Sequence, residues 1–203
     1  YSIACHWHGF CLIARGRFAD SIELMKRAQT LDPLSPIINT ACGLPFYFMR
    51  RHERAIKIYR ETLETDQTFF PALVYIGMAY EQNGQYEEAA SSFRRALSLT
   101  PDSTFALASL GYIYAVSGDK EKAREIIEQL NVESNKRYVS PYGMAETYAG
   151  LNEKEQALTH LEKAVAERSW WLIFVGVNPR FDSLRDEPRF LEILQKTSFV
   201  DFN

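Results

Sequence analysis

The spacing of the glycines is the strongest constraint on the fold of this chain. Seven of its ten glycines fall on two columns with one shared, constant interval, namely Gly9, Gly43, Gly77 and Gly111 in the first column and Gly16, Gly84 and Gly118 in the second. Arg50 and Asn152 occupy the two remaining places of the second column. A period of 34 residues predicts a chain built of internal structural repeats.

Other residue types follow the same period. A large apolar residue recurs at Met25, Tyr59, Phe93, Ile127 and Leu161, and a small one at Ala55, Ala89, Ala123 and Ala157. No insertion or deletion breaks the register from residue 2 to residue 171, a stretch that contains five complete periods.

Each period predicts two helices. In residues 70–103, an apolar stripe with helical spacing runs from Leu73 to Tyr80, and Gly84 then supplies a residue that ends a helix. A second stripe follows and ends before Pro101. Two such helices cannot bury both stripes alone, so we expect stacked copies to share one continuous core.

This unit resembles the tetratricopeptide repeat (TPR), a family whose repeat has the same length as the glycine interval. The resemblance implies an all-α fold, a right-handed superhelix (solenoid) of five antiparallel TPR helix pairs with a C-terminal helical cap. The predicted repeats are residues 2–35, 36–69, 70–103, 104–137 and 138–171, followed by a capping segment over 172–203. The residues that match the family signature are Ile76, Gly77, Tyr80, Ala89, Phe93, Ala96 and Pro101, with Leu73 where the family often has Trp.

Two departures from the pattern are local. Arg50 replaces the helix-ending glycine of the second repeat, which should cost that repeat some stability. Pro141 falls inside the expected first helix of the fifth repeat, so we expect that helix to begin late, with Ser140 as its cap.

Residues 172–203 leave the period. We expect a lid over the last repeat, with a helix that begins near Pro188 and buries Phe190, Leu191 and Leu194. A pair of strands over 170–178 is the alternative for the first part. The sequence from Asn178 to Phe190 resembles the C-terminal segments of bacterial multi-domain regulators, in which such repeats follow a winged-helix, kinase or cyclase domain.

Several functions are excluded or disfavoured by composition and motifs. The chain has 23 Lys and Arg against 26 Asp and Glu, and no basic block, which argues against direct nucleic-acid binding. It has no apolar run of about 20 residues that would span a membrane. No phosphate loop, dinucleotide fingerprint or nucleophile elbow is present, so we predict neither enzyme activity nor a cofactor.

Cysteine and histidine usage does not point to a metal site. In the stretch Cys5–Cys11, the two cysteines would lie on different sides of one helix, about 9 Å apart along its axis, and a single zinc ion could not bridge them. We expect Cys5 and His8 at core positions, and His52 and His160 on solvated helix faces. Three cysteines are not a disulfide framework and favour reduced thiols in a cytoplasmic protein.

The first helices of the repeats carry a second apolar stripe, which in the family faces the concave surface. A helix that is apolar on both sides is buried all round or faces a partner. The resemblance therefore implies a groove that binds an apolar or aromatic-bearing protein segment. The candidate groove residues are Trp7, Phe10, Thr40, Leu44, Tyr47, Val74, Tyr75, Met78, Phe105, Ser109, Tyr112, Tyr142 and Glu146.

Two alternatives to an open groove stay open. The same side chains could pack against each other, or a segment upstream of Tyr1 could cover them, because a chain that does not begin with Met is expected to be a piece of a longer protein. The chain could also serve as a structural or self-assembling solenoid, with Trp7 and its neighbours forming a homodimer. The preferred function is a non-enzymatic protein-interaction module in the regulatory or sensor part of a larger bacterial signalling or transcriptional regulator.

Overall fold

The computed structural model describes residues 1–197, and within that range every regular element is a helix. The chain divides into two compact units, an N-terminal unit formed by Tyr1–Leu99 and a C-terminal unit that begins at Thr100. The helices within 1–197 are all too short or too polar to cross a membrane. The all-α fold of repeated helix pairs is therefore confirmed for the described chain.

The N-terminal unit holds three helix pairs. Each pair consists of a first helix with an almost wholly apolar sequence and a second helix that is apolar on one side only. Its helices are α1 (Ser2–Ala14), α2 (Phe18–Leu31), α3 (Pro36–Ala41), α4 (Leu44–Phe48), α5 (His52–Thr65), α6 (Phe70–Gln82) and α7 (Tyr86–Leu99). The first helix of the second pair is divided into α3 and α4, because Pro45 lies in the first turn of α4 and removes a backbone donor.

The C-terminal unit continues with two helix pairs and the C-terminal segment. Its elements are α8 (Thr104–Ser117), α9 (Lys120–Ser134), α10 (Pro141–Gly150), α11 (Lys154–Ala166), two 3₁₀ helices (Trp170–Phe174 and Pro179–Leu184) and α12 (Pro188–Thr197). As expected from Pro141, α10 begins at that residue with Ser140 before it. The Ser140 side chain does not cap the helix; its Oγ lies 3.0 Å from Ser169 Oγ instead.

The second helices begin exactly one period apart along the described chain. Their first residues are Phe18, His52, Tyr86, Lys120, Lys154 and Pro188. The last of these belongs to α12, so the expectation that residues 172–203 leave the period is too strict. The start of α12 still follows the period, although the glycine and alanine columns end before it. Residues 198–203 of the expected cap lie outside the described residues.

The first glycine column brings the two helices of a pair close together. A Cβ added to Gly77 would lie 2.9 Å from Phe93 Cζ, and one added to Gly9 would lie 2.6 Å from Met25 Cε. Real Cβ contacts are longer than this, so the rigid Phe93 ring requires glycine at position 77, whereas the flexible end of Met25 could move away from a Cβ at position 9. In the fourth pair, the side chain nearest to Gly111 is Ile126, although Ile127 is the residue in the column of large apolar side chains.

The second glycine column has a left-handed backbone in all five repeats. The φ angles are 70° at Gly16, 61° at Arg50, 77° at Gly84, 98° at Gly118 and 61° at Asn152. The conformation is therefore set by the position in the repeat, and Arg50 adopts it although its Cβ disfavours it.

The C-terminal segment is helical, which excludes the alternative of two strands over 170–178. Phe190, Ile193 and Leu194 of α12 are buried in one apolar cluster with residues of α10 and α11. Leu191, which we expected on the buried side, is 46% exposed, because the helix turns Ile193 inward instead.

We predict that Arg50→Gly raises the free energy of unfolding by about 1 kcal/mol, because glycine removes the strain of a left-handed non-glycine residue. Gly84→Ala is the matched change in the opposite direction. An added Cβ at Gly84 meets nothing within 4 Å, so only the backbone effect remains, a loss of about 1 kcal/mol. Urea unfolding followed by circular dichroism measures both. If Arg50→Gly instead lowers the midpoint, the Arg50 side chain stabilises the turn by more than its backbone costs.

Candidate interaction site

The candidate groove residues of the N-terminal unit are mostly buried. Trp7 is half exposed and Tyr75 is half-buried. The remaining members are buried, namely Phe10, Thr40, Leu44, Tyr47, Val74 and Met78. Trp7 and Tyr75 are therefore the two candidate groove residues of this unit that are not fully buried.

The environment of Tyr75 is apolar. Its ring lies 6.0 Å from that of Tyr59, and burial raises the pKa of its hydroxyl to about 12. The Tyr75 side chain is therefore neutral at physiological pH and offers an aromatic surface with one polar end. Thr40, by contrast, uses its hydroxyl within α3, where Oγ1 donates to the Pro36 carbonyl at 2.7 Å.

In the C-terminal unit, the candidate groove residues contact the C-terminal segment of the same chain. Phe105 stacks on Trp171, with ring centroids 4.7 Å apart and an interplanar angle of 13°. The guanidinium of Arg180 lies over the ring of Tyr112, 4.6 Å from its centroid. These are a stacked aromatic pair and a cation–π contact.

Arg180 and Glu146 form a buried ion pair at the centre of this contact. Arg180 Nη1 donates to Glu146 Oε2 at 2.9 Å and to Ser109 Oγ at 3.3 Å. Asn178 Nδ2 donates to Glu146 Oε1 and to the Tyr142 hydroxyl, both at 2.8 Å. All five residues are buried, so the carboxylate receives donors from the C-terminal segment on both oxygens.

Burial raises the pKa of Glu146, while the Arg180 guanidinium and the Asn178 amide act in the opposite direction. The pKa of Tyr142 is raised well above its usual value, chiefly by burial and then by the Glu146 charge. Tyr142 therefore stays protonated and accepts a hydrogen bond from Asn178. The polar groove residues of α8 and α10 are thus buried and hydrogen-bonded to the C-terminal segment, with apolar side chains around them.

The groove residues on α8 and α10 are predictable from the sequence, but Asn178 and Arg180, which fill the site, were not predicted. Arg180 lies exactly one period after Glu146, so the two charges stand in one column of the repeat. That column also contains Leu44, Met78 and Tyr112. Opposite charges one period apart, in a column that is otherwise apolar, are the signal that could have identified the pair.

An ion pair between α11 and α12 also spans one period. Arg189 on α12 contacts Glu155 and Glu162 on α11, with Nη1 2.7 Å from Glu155 Oε2 and Nη2 2.9 Å from Glu162 Oε2. These side chains are on the surface, where such pairs contribute little to stability. They nevertheless hold α12 in register with α11.

The histidines and cysteines of residues 1–197 differ in burial and form no metal-binding cluster. Across residues 1–197, no cluster of three His, Cys, Asp or Glu residues could hold a metal ion. His8 is exposed and His6 is buried, the reverse of the expected core position for His8. Burial lowers the pKa of His52 and His160, which are half-buried rather than on solvated faces as expected. Burial also raises the pKa of Cys42 to about 11, which makes its thiol unreactive.

Comparison with known proteins identifies the repeat. Residues 48–173 match a family model described as tetratricopeptide repeat. The chain is 23% identical over 158 residues to anaphase-promoting complex subunit 3 of Schizosaccharomyces pombe, a match that covers 77% of this chain and 24% of that protein. It is 26% identical over 167 residues to the probable N-acetylglucosaminyltransferase SPINDLY of Hordeum vulgare, covering 77% of this chain and 17% of that protein. The chain thus spans about a quarter or less of these relatives.

Solved structures show the same fold at low sequence identity. A thermophilic TPR protein of Thermus thermophilus superposes with a TM-score of 0.68 at 18% identity, covering 96% of this chain and all of that one. The pilF protein of Pseudomonas aeruginosa superposes with a TM-score of 0.59 at 20% identity, covering 96% of this chain and 89% of that one.

We predict that Glu146→Ala lowers the free energy of unfolding by about 3 kcal/mol, because it removes the carboxylate from a buried Arg180. Glu155→Ala is the matched control, since it removes one carboxylate from the exposed Arg189 pair and should cost less than about 1 kcal/mol. Denaturant unfolding of both variants provides the comparison. Equal losses would show that the buried pair contributes no more than a surface pair.

Proposed function

Since the chain belongs to the tetratricopeptide repeat family, we propose that it is a non-enzymatic protein-interaction module that binds an apolar, aromatic-bearing segment of a partner protein. Repeats of this family generally mediate protein–protein interaction or scaffolding. We place the module in the cytoplasm, as the regulatory or sensor part of a larger bacterial signalling or transcriptional regulator. The sequence from Asn178 to Phe190, which resembles such regulators, supports that setting.

One observation supports the proposed ligand chemistry most directly. On α8 and α10, the groove positions already hold a segment that bears an aromatic residue, because Trp171 stacks on Phe105, while Arg180 of the same segment covers Tyr112 and pairs with Glu146. The chain's own C-terminal segment is thus an internal example of what such positions bind. An apolar segment anchored by aromatic contacts is the ligand class that follows from it.

The partner site is then assigned to the N-terminal unit. Ser109, Tyr112, Tyr142 and Glu146 are buried against the C-terminal segment and are not free to bind another chain while it stays in place. In the N-terminal unit, Trp7 is half exposed and Tyr75 is half-buried. Tyrosine and tryptophan are the side chains that contribute most at protein interfaces.

A panel of synthetic peptides tests the proposal on the chain as it stands. We expect peptides with two or more aromatic residues to bind with a dissociation constant on the order of 10 µM, and charged peptides of equal length to bind much more weakly. Tyr75→Glu should weaken aromatic-peptide binding at least tenfold, because it places a charge on the aromatic surface. Isothermal titration calorimetry measures each affinity.

Tyr86→Glu is the matched control, since Tyr86 is a partly exposed tyrosine at the start of α7 in the same unit. It should leave peptide affinity unchanged. Circular dichroism checks that both variants fold. The proposal is wrong if no peptide class binds, or if Tyr75→Glu binds aromatic peptides as well as Tyr86→Glu does.

A further inference from the structure

The residue that precedes each second helix changes its charge along the chain. This position comes directly before α2, α5, α7, α9 and α11, and it holds Arg17, Arg51, Gln85, Asp119 and Glu153. The two arginines are exposed and both lie in the N-terminal unit. Since all five turns have the same left-handed backbone one residue earlier, turn geometry does not explain the change of charge.

An arginine at this position is unfavourable for the helix that follows it. The N-terminus of a helix carries a partial positive charge, so acidic side chains stabilise it and basic side chains do not. At the start of α9, the Lys122 backbone NH donates to Asp119 Oδ1 at 3.3 Å, whereas Arg17 and Arg51 make no side-chain cap. Residues that break a local rule of stability are expected at functional sites. The two arginines are therefore candidates for a role in binding.

The surrounding residues increase the positive charge. Residues 15–20 and 49–54, which contain the turns of the first two repeats, hold five arginines and two acidic residues. The equivalent residues of the last two repeats, 117–122 and 151–156, hold three lysines and four acidic residues. The excess of positive charge is thus a property of the first two turns and is not repeated in the last two.

These two turns are neighbours, because α2 and α5 lie side by side. A cleft of about 130 Å³ between the helices is lined by Met25 of α2 and by Ile58 of α5. Neighbouring helices are about 10 Å apart, and both helices begin at the same position of their repeat. The side chains at the starts of α2 and α5 therefore form one edge of the N-terminal unit.

Most of the positive charge of this edge is not neutralised. Arg17 Nη2 lies 2.6 Å from Asp20 Oδ2, in an exposed ion pair. Within residues 1–197, the Arg15 and Arg51 side chains form no ion pair. Arg54, in the first turn of α5, is exposed as well. We refer to Arg15, Arg51 and Arg54 as the basic edge.

We propose that the basic edge binds an acidic segment of a partner protein. Guanidinium and carboxylate groups form paired, charge-assisted hydrogen bonds, so Asp and Glu side chains are suitable ligands for these arginines. A continuous phosphate backbone fits less well, because Asp20 and Glu53 border the edge and repel it. The Arg54 guanidinium lies over the Phe46 ring, 4.2 Å from its centroid, which positions it without neutralising its charge.

The proposed contact is electrostatic and sensitive to salt. Exposed ion pairs contribute little individually and are screened by ions. We expect a dissociation constant on the order of 100 µM at an ionic strength of about 20 mM, and binding at least about tenfold weaker at about 300 mM. The inference is independent of peptide recognition at Tyr75, because its probe contains no aromatic residue and its variants lie elsewhere.

Fluorescence anisotropy with a labelled peptide of about ten residues, alternating Glu and Ser, tests the proposal on the full chain. An extended peptide of this length spans about 30 Å, more than the separation of two neighbouring helices. Arg51→Asp should weaken binding about fivefold and raise the midpoint of thermal unfolding, because aspartate is preferred at this position. Arg94→Glu is the matched control: Arg94 is exposed on α7 of the same unit, and its replacement changes the net charge equally but should leave the affinity unchanged.

Arg15→Glu is a second variant of the basic edge and should weaken binding even if Arg51→Asp fails to fold, which circular dichroism checks. The proposal is overturned if the acidic peptide binds no better than the same peptide with Gln in place of Glu. It is also overturned if both variants of the edge bind like the wild-type chain, or if Arg94→Glu weakens binding as much as they do. Tighter binding of a single-stranded oligonucleotide of equal charge would assign the edge to nucleic acid instead.

Discussion

In the first four repeats, a close contact between a glycine in the first half of the repeat and a large side chain on the second helix sets how closely the two halves pack. At Gly77 and Phe93 there is no room for a Cβ, so the two helices approach until the aromatic ring rests on the backbone. Gly43 and Tyr59 repeat this arrangement one period earlier. Because this contact fixes the position of the second helix, it also fixes the position of the left-handed turn that joins the two helices.

The fold could be predicted from the sequence because its determinants are local and repeated. The left-handed turn illustrates this: Gly16, Gly84 and Gly118 indicate it, and Arg50 and Asn152 adopt the same backbone because their neighbours follow the same pattern. The prediction was less accurate where one residue decided the detail. Ile126 instead of Ile127 fills the space beside Gly111, and Pro45 divides the first helix of the second repeat. Such choices depend on packing that periodicity does not encode.

The candidate site was predicted less well. Whether its residues on α8 and α10 are accessible depends on the C-terminal segment, which lacks the glycine and alanine columns of the repeats. The spacing places Ser109, Tyr112 and Glu146 on one surface, and the structure brings them together. Nothing in the pattern of residues 170–184 indicates two short 3₁₀ helices or shows that Arg180 contacts Glu146. The only sequence signal for this contact is that Glu146 and Arg180 are one period apart. That signal can be interpreted because α12 also begins one period after α11.

The buried pair is better understood as a device for register than as a source of stability. An Arg and a Glu in an apolar interior lose much of their hydration, and their attraction offsets that loss without a large surplus. The apolar residues from Trp171 to Phe174 could pack against α8 and α10 in several offsets, because apolar contacts are not directional. In the observed arrangement, Arg180 contacts Glu146, Ser109 and the Tyr112 ring together, and these directional contacts require a specific offset. We infer that the charge pair selects this single arrangement from the apolar alternatives, and so decides which groove positions the chain keeps for itself.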